Sequence, residues 1–207
     1  MTDFPRCRRT TWAELDRWAD AVAEKVRAAG PVPSTFVALT RGGWVPARLL
    51  ADRLGVSRIL AVRARHWGVT ATPSGSAELT NGLSETVAGE SVLVVDDITD
   101  TGQSLKLAVD HVKAAGAATV RSATCLHIAR SQFTPDFFAE EIPRDGWVWI
   151  VFPWNFWEDL ATLGRRALDE AAGDRPKARR LLAERCGLHV TEDELDRALD
   201  APPLRKS

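Results

Sequence analysis

Residues 92–104, Val92-Leu-Val-Val-Asp-Asp-Ile-Thr-Asp-Thr-Gly-Gln-Ser104, decide the fold of this chain. Four apolar residues predict a buried strand that ends in the adjacent carboxylates of Asp96 and Asp97. After a short loop of hydroxyl and glycine residues, residues 105–115 have the apolar spacing of a helix that stops at Gly116. Backbone N–H groups at a helix start bind phosphate, and paired carboxylates suit hydroxyl groups or a hard cation. A ribose phosphate would satisfy both halves of this corner.

An apolar strand ending in aspartate is also common in other parallel α/β proteins, including receiver domains and nucleotide hydrolases. Nucleotide hydrolases place a Gly-x-x-x-x-Gly-Lys-Ser/Thr loop before the acidic strand, and this chain contains no such sequence. The residues that follow the carboxylates, Asp100-Thr-Gly-Gln-Ser104, favour another class. The complete run resembles the signature with which type I phosphoribosyltransferases bind 5-phosphoribosyl 1-diphosphate (PRPP).

This resemblance implies a role for each residue of the run. Asp96 and Asp97 would hold the ribose hydroxyls, directly or through Mg²⁺, and Asp100 would be the general acid/base facing the imidazole nitrogen of a purine. Asp100 could also cap the following helix, a role compatible with the first. The substrate-binding residues implied in this run, of which the last four wrap the 5′-phosphate, are Asp96, Asp97, Ile98, Thr99, Thr101, Gly102, Gln103 and Ser104.

A second candidate loop, Thr40-Arg41-Gly42-Gly43, follows a short apolar strand. Open α/β sheets bind ligands at the carboxyl ends of their strands. Paired glycines allow backbone N–H groups to approach phosphate oxygens, and Arg41 can pair with the charge of a departing group. Alone, this sequence could be an ordinary strand-to-helix turn, but the family has a matching Arg-Gly-Gly pyrophosphate loop. The resemblance therefore makes Thr40, Gly42 and Gly43 substrate-binding residues and Arg41 a catalytic one.

Residues 147–154, Trp-Val-Trp-Ile-Val-Phe-Pro-Trp, resemble the base-binding segment of xanthine-guanine and archaeal-type 6-oxopurine phosphoribosyltransferases. In those enzymes an aromatic side chain stacks on the purine, and the next residue offers backbone groups to its edge. Trp149 and Ile150 occupy these two positions. The alternative is an interior strand with incidental tryptophans.

Two departures from the family pattern leave the identity of the base open. The family usually has a lysine that contacts the purine 6-oxo group, and Ala129 stands in its place. Arg130 is expected to supply the donor one residue later, or the base differs. Asn155 stands where an acidic residue is common.

Other segments predict an α/β fold around the corner. Residues 35–39 and 58–62 have the composition of short strands, and residues 45–54 that of the helix between them. This order predicts a central, mostly parallel sheet flanked by helices. Further elements are expected at residues 11–29 (helix), 119–128 and 147–152 (strands) and from residue 156 onward (helices).

The resemblance covers roughly residues 10–160 and implies the type I phosphoribosyltransferase fold, with a flexible lid loop and a small base-binding hood. We expect a phosphoribosyltransferase domain over residues 1–164 and a helical C-terminal extension over residues 165–207. Residues 68–82 are small and polar and could be a linker. Because linkers of that length are uncommon inside compact domains, a lid over the bound sugar is favoured.

Composition excludes several classes of partner. The formal net charge of -1 and the pI near 6.4 give no reason to expect nucleic acid. No apolar run approaches the length of a membrane span, and the N-terminus has no apolar signal core. Cys7, Cys125 and Cys186 are widely separated, which predicts free thiols and a cytoplasmic location.

These observations predict a Mg²⁺-dependent purine phosphoribosyltransferase of nucleotide salvage. It would transfer the phosphoribosyl group of PRPP to a 6-oxopurine (guanine, xanthine or hypoxanthine) and release pyrophosphate. Its relatives imply a homo-oligomer, a dimer or tetramer. The alternatives are a PRPP-sensing regulator that keeps the fold, and a transferase for a non-purine base.

Overall fold

The computed structural model describes residues 4–66 and 77–201. They divide into two compact units, each described by itself. The sheet unit comprises Ala13–Trp147, and the terminal unit combines residues up to Trp12 with residues from Val148 onward. The strands are β1 Cys7–Arg9, β2 Thr35–Thr40, β3 Arg58–His66, β4 Ala77–Asn81, β5 Ser91–Thr99, β6 Thr119–Ile128, β7 Phe137–Ile142 and β8 Trp149–Val151, and the helices are α1 Trp12–Ala28, α2 Trp44–Leu54, α3 Gln103–Ala114, α4 Phe156–Glu170, α5 Arg175–Leu181 and α6 Glu192–Asp200.

The sheet unit is built on six strands in the order β4-β3-β2-β5-β6-β7. All neighbours are parallel except β4, which runs antiparallel to β3. The chain moves from β2 outward to β3 on one side and from β5 outward to β6 on the other. The strand order therefore reverses between β2 and β5, the position where open α/β sheets form a ligand crevice. This confirms the predicted fold class.

Alternating residues of the central strands pack on the two faces of this sheet. Phe36 and Ala38 lie in a cluster with residues of α1 and α2, whereas Val37 and Leu39 lie in a second cluster with residues of α3. All four are almost fully buried. Because both faces are covered by helices, the strands are apolar on both sides, and this is why they read as continuous apolar runs in the sequence.

Two strands of the sheet unit differ from the expectations. Residues 67–76, most of the predicted lid, lie outside the described residues. The remainder of that lid contains β4, so a segment expected to be loop is a strand. Edge strand β7 was not predicted, although it pairs with β6 over Phe137 to Ile142. Its sequence mixes apolar and charged residues, because it is the last strand of the sheet and four of its six residues are only partly buried or exposed.

The terminal unit joins the two ends of the chain. Strand β1 pairs in parallel with β8, and α4, α5 and α6 share a core that includes Leu160, Leu182 and Leu195. A capping box begins α6, with the Thr191 hydroxyl and the Glu194 carboxylate each accepting a backbone N–H. The strand expected at residues 147–152 is shorter and covers only β8.

The predicted domain boundary at residue 164 lies inside α4, which runs without a break from Phe156 to Glu170. A functional division of the chain at that point stays a prediction. The three cysteines are free, as expected. Among the helices that the structure describes, none combines the length and the apolar character needed to cross a membrane.

Candidate active site

The predicted ligand loops meet at the carboxyl edge of the sheet. Strand β2 pairs with β5 only as far as Ala38 and Val95, and then turns away at Thr40. Strand β5 continues beside β6 as far as Thr99. The sequence had suggested that the strand ends at Asp96 and Asp97, but the two carboxylates lie within β5, which continues to Thr99. Beyond Val95 the residues of β5 have no β2 partner in the sheet, and the turn that follows β2 lies beside Asp97.

The Arg41-Gly42-Gly43 turn lies directly against this edge. The Gly43 N–H donates to the Leu39 carbonyl at 2.8 Å, and the Thr40–Arg41 peptide bond is cis. A β-carbon at position 43 would lie 2.6 Å from the Leu39 carbonyl oxygen, and one at position 42 would lie 2.7 Å from Asp97 Oδ1. The sheet backbone therefore leaves no room for a side chain at position 43, and the Asp97 carboxylate occupies the space beside Gly42, two constraints that the sequence did not reveal.

Asp96 and Asp97 are adjacent carboxylates in a poorly solvated position. The Asp97 side chain, in a residue only 8 % exposed, accepts the Ile98 N–H at 2.8 Å, and Asp96 Oδ1 accepts the Asp97 N–H at 2.9 Å. Burial, followed by the negative charge of Asp97, raises the pKa of Asp96 well above its ordinary value. A cation or hydroxyl donors bound here would stabilise the ionised pair.

The phosphate loop, residues 101–104, leads into α3 as predicted. Gly102 has φ 82°, and within the described residues no side chain caps the helix and no acidic residue lies in its first turn. A β-carbon at Gly102 would lie 2.7 Å from the Phe133 backbone nitrogen, and the Gln132 N–H donates to the Thr101 carbonyl at 3.1 Å. The segment around Gln132 and Phe133 therefore holds the loop in place. The helix start carries a partial positive charge, which suits an anion.

Asp100 has two side-chain partners. Arg130 donates to Asp100 Oδ1 from Nε at 3.0 Å and from Nη2 at 2.6 Å, and the Trp147 indole donates to Oδ2 at 3.3 Å. The Arg130 guanidinium also lies 5.0 Å from the Trp147 ring centroid. The alternative role of Asp100 as the helix cap is wrong, because Gly102 occupies the N-cap position of α3. Trp147 was absent from the predicted site, since no sequence motif connects it with Asp100.

Other predicted residues of the sheet unit use their side chains elsewhere. The Thr40 hydroxyl donates to the Val62 carbonyl at 3.1 Å. The Thr99 hydroxyl is buried and lies 3.2 Å from that of Thr124. Substrate binding by these residues, and by Ile98, stays a prediction that concerns their backbone groups.

The predicted base-binding residues belong to the terminal unit. Trp149 packs against its core and donates a side-chain hydrogen bond to Asp159, while Ile150 is buried. Burial raises the pKa of Asp159 to about 7, opposed by the Trp149 hydrogen bond. The packing engages the Trp149 ring inside its own unit, so its stacking on a base stays a prediction. Phe152 and Trp154 form a parallel stack with ring centroids 4.8 Å apart.

Comparison with known proteins identifies the class. Residues 11–159 match the phosphoribosyl transferase domain family, and the chain belongs to that family. The matched range agrees with the extent of the resemblance noted in the sequence. By this membership the protein is a transferase, and the relatives described next carry the names of purine phosphoribosyltransferases.

A xanthine-guanine phosphoribosyltransferase from Nitratidesulfovibrio vulgaris is 29 % identical over 149 residues, which are 70 % of this chain and 82 % of that protein. The crystal structure of a purine phosphoribosyltransferase from Pyrococcus horikoshii is 27 % identical with a TM-score of 0.61, over 72 % of this chain and 93 % of that one. A xanthine-guanine-hypoxanthine phosphoribosyltransferase from Helicobacter pylori shares the fold at 19 % identity, with a TM-score of 0.61 over 76 % of this chain and 99 % of that one.

Proposed function

We propose that this protein transfers the 5-phosphoribosyl group of PRPP to a 6-oxopurine base and releases pyrophosphate, as a cytoplasmic enzyme of nucleotide salvage. One observation carries the proposal. The glycine turn after β2, the acidic pair within β5 and the helix start of α3 all lie at the carboxyl edge of the sheet, next to the reversal of strand order. These features match, in order, a diphosphate, a ribose diol and a 5′-phosphate.

The chemistry assigns a task to each feature. A nitrogen of the base forms a bond to the anomeric carbon while the bond from that carbon to the pyrophosphate oxygen breaks. Positive charge develops on the ribose ring and negative charge on the leaving group. The α3 start and residues 101–104 would hold the 5′-phosphate in place. The turn at Gly42 and Gly43 would offer backbone N–H groups to pyrophosphate, with Arg41 adding a positive charge.

The carboxylate oxygens of the acidic pair, Asp96 and Asp97, are the type of ligand that Mg²⁺ prefers. Both residues supply hard oxygen ligands, and because burial and the charge of Asp97 raise the pKa of Asp96, a bound cation would stabilise its ionised form. Within residues 4–66 and 77–201 there is no cluster of three or more acidic, histidine or cysteine side chains able to hold a metal. Further ligands would therefore come from PRPP and water. When bound, Mg²⁺ supplies charge neutralisation for the pyrophosphate group.

The proposal also specifies the accepting base, a 6-oxopurine. The names of the relatives from Nitratidesulfovibrio vulgaris and Helicobacter pylori support guanine, xanthine and hypoxanthine as the bases to test. Ala129 cannot donate a side-chain hydrogen bond to a 6-oxo group, so the contact that the family makes there has to come from another residue. A homo-oligomer, dimer or tetramer, belongs to the same proposal and is measured by light scattering.

A base panel tests the proposal. The full chain is assayed with PRPP and Mg²⁺ against guanine, xanthine, hypoxanthine, adenine and the pyrimidines, and nucleotide formation is measured. We expect one or more 6-oxopurines to be consumed, and D100N to lower kcat by about 10²-fold or more through loss of the carboxylate. The matched control is D110N, because Asp110 is an exposed aspartate that pairs with Lys106 on α3.

Three outcomes would contradict this assignment. If only adenine or a pyrimidine is consumed, the substrate is not a 6-oxopurine and that part of the proposal is wrong. PRPP binding without consumption of any base would favour the PRPP-sensing regulator. Equal activity of D100N and D110N would remove the role given to Asp100.

A further inference from the structure

Asp100, Arg130 and Trp147 form a closed triangle in the sheet unit. Each residue touches the other two, through the Arg130–Asp100 ion pair, the Trp147–Asp100 hydrogen bond and the guanidinium above the indole. They come from three segments of the chain, after β5, after β6 and after the 3₁₀ turn that follows β7. The triangle is therefore a product of the fold and not of a local motif.

The backbone holds the segment that carries Arg130. The Ala129 N–H donates to the Ile142 carbonyl at 3.0 Å, and the Ser131 N–H donates to the Ile128 carbonyl at 2.8 Å. The next residue, Gln132, is bonded to the phosphate loop through the Thr101 carbonyl. A guanidinium mounted on a segment fixed on both sides loses little further freedom when it binds a carboxylate.

The two oxygens of the Asp100 carboxylate are in different situations. Oδ1 accepts two charge-assisted hydrogen bonds from Arg130, which is the stronger kind. Oδ2 accepts one longer bond from the uncharged indole of Trp147 and keeps acceptor capacity. The side chains of Asp100 and Arg130 are 37 % and 29 % exposed, so the pair is reachable by solvent without being fully solvated. Oδ1 is thus the anchored oxygen, and Oδ2 is the one able to accept a new donor.

We propose that Arg130 and Trp147 are positioning residues that present Asp100 Oδ2 to the base. This inference rests on the proposed function and gives Arg130 a role other than the expected contact with a 6-oxo group. Oδ2 accepts the proton of one imidazole nitrogen while the other nitrogen forms the bond to the anomeric carbon. The electrons of the breaking carbon–oxygen bond leave with pyrophosphate, and the proton passes from Asp100 to water after the nucleotide departs.

The triangle itself is tested without turnover. The full chain is labelled with ¹⁵N-tryptophan, and the indole resonances of its 8 tryptophans are recorded, with W147F assigning Trp147. We expect D100N and R130M each to move the Trp147 resonance, because both remove a group that contacts the indole. The resonance of Trp157 is the internal control, since its ring is 43 % exposed and lies under Arg197 at 4.8 Å. A Trp147 resonance that stays in place in both variants would overturn the proposal.

Kinetics with the consumed base tests the positioning role. R130M is expected to lower kcat by about 10²-fold while the KM for PRPP changes less than about twofold, and R130K to recover about tenfold of the loss. W147F keeps the ring and removes the indole N–H, so we expect kcat to fall by about 3–10-fold. W157F, the matched control, should retain the wild-type kcat.

Two results separate this inference from the proposed function. If R130M raises the KM for the base and leaves kcat unchanged, Arg130 binds the base directly and the positioning role is overturned. If the wild type consumes no base at all, the proposed function fails. The Trp147 resonance then still decides whether the triangle exists.

Discussion

The sheet unit and the terminal unit are built from different kinds of contact. In the sheet unit, β2 pairs with β3 across α2 and β5 pairs with β6 across α3, so these strand–helix–strand units are nearly local motifs. The pairing of β2 with β5 joins these two motifs across β3 and β4. In the terminal unit, β1 pairs with β8, and Arg9 donates to Glu194 at 3.0 Å across almost the whole sequence. Sequence motifs are therefore informative in the first unit and weak in the second, because a motif records only neighbours along the chain.

The two units also differ in what their candidate sites are made of. The predicted phosphate-binding features of the sheet unit are backbone groups, placed by glycines that have no room for a side chain. The predicted base-binding residues of the terminal unit are side chains, and Trp149 is already engaged by Asp159. Damage to the sheet unit should therefore abolish PRPP binding, whereas damage to the terminal unit should cost stability first.

The largest effect is expected from G43A. The added methyl group would lie 2.6 Å from the Leu39 carbonyl and closer still to that of Val95, both parts of the sheet backbone. We expect the free energy of unfolding to fall by about 3 kcal/mol and the PRPP affinity to fall by roughly 10²-fold or more. Urea denaturation and calorimetric titration measure the two quantities. The control is G146A, whose methyl group would meet nothing nearer than 3.7 Å, and equal loss in both variants would refute the steric argument.

L160A tests the expectation that damage to the terminal unit lowers stability more than PRPP binding. Leu160 is fully buried in the core of the terminal unit, and its truncation leaves a cavity. The free energy of unfolding should fall by about 2–3 kcal/mol, while the affinity for PRPP at 25 °C changes less than about twofold. L168A, a change at a partly buried position of the same helix, should cost less. Loss of PRPP binding in L160A as severe as in G43A would show that the units are not functionally separate.

The smallest effect is expected from D159N and depends on pH. Burial raises the pKa of Asp159 from 3.8 to about 7, so the folded protein binds this proton more tightly than the unfolded chain does. As the pH rises from about 4 to about 7, the unfolded chain loses this proton while the folded protein keeps it, so folding requires proton uptake and the wild type loses stability. The amide of D159N does not ionise, so the stability of the variant relative to that of the wild type should be higher at pH 8 than at pH 4.

Urea denaturation at the two pH values measures this difference. D169N changes an exposed aspartate of the same helix and serves as the control. A D159N variant whose advantage is independent of pH, or is larger at pH 4, would contradict the burial of an ionisable group at this position.

Most of the sheet unit could be predicted from sequence. The run from Val92 to Ser104 predicted a strand, a loop and a helix start, and the structure has all three. Strand β4 was missed because its five residues follow a polar stretch that carries no alternating pattern. Strand β7 was missed because an edge strand does not need to be apolar on both faces. Both errors concern the sheet margins, where burial constrains the sequence least.

The site was predicted less completely than the fold. The glycines of the Arg-Gly-Gly turn were expected to admit phosphate, but the structure adds a second requirement from Asp97 and Val95. Asp100 was identified from its motif, while its partner Trp147 was not. The sequence indicated which residues have suitable chemistry, but it did not indicate which side chains from different loops contact one another.

The strand–loop–helix corner could be predicted from residues 92–104 alone, because a strand, a loop and a helix start that follow one another depend on consecutive residues. Only the tertiary structure decided the surroundings of Asp100, whose partners lie 30 and 47 residues away along the chain. Contacts over such separations depend on strand order, and strand order is fixed by the burial of whole faces rather than by any one motif. The strand–loop–helix corner therefore depends on local sequence, whereas the arrangement of side chains around Asp100 depends on the fold of the sheet unit.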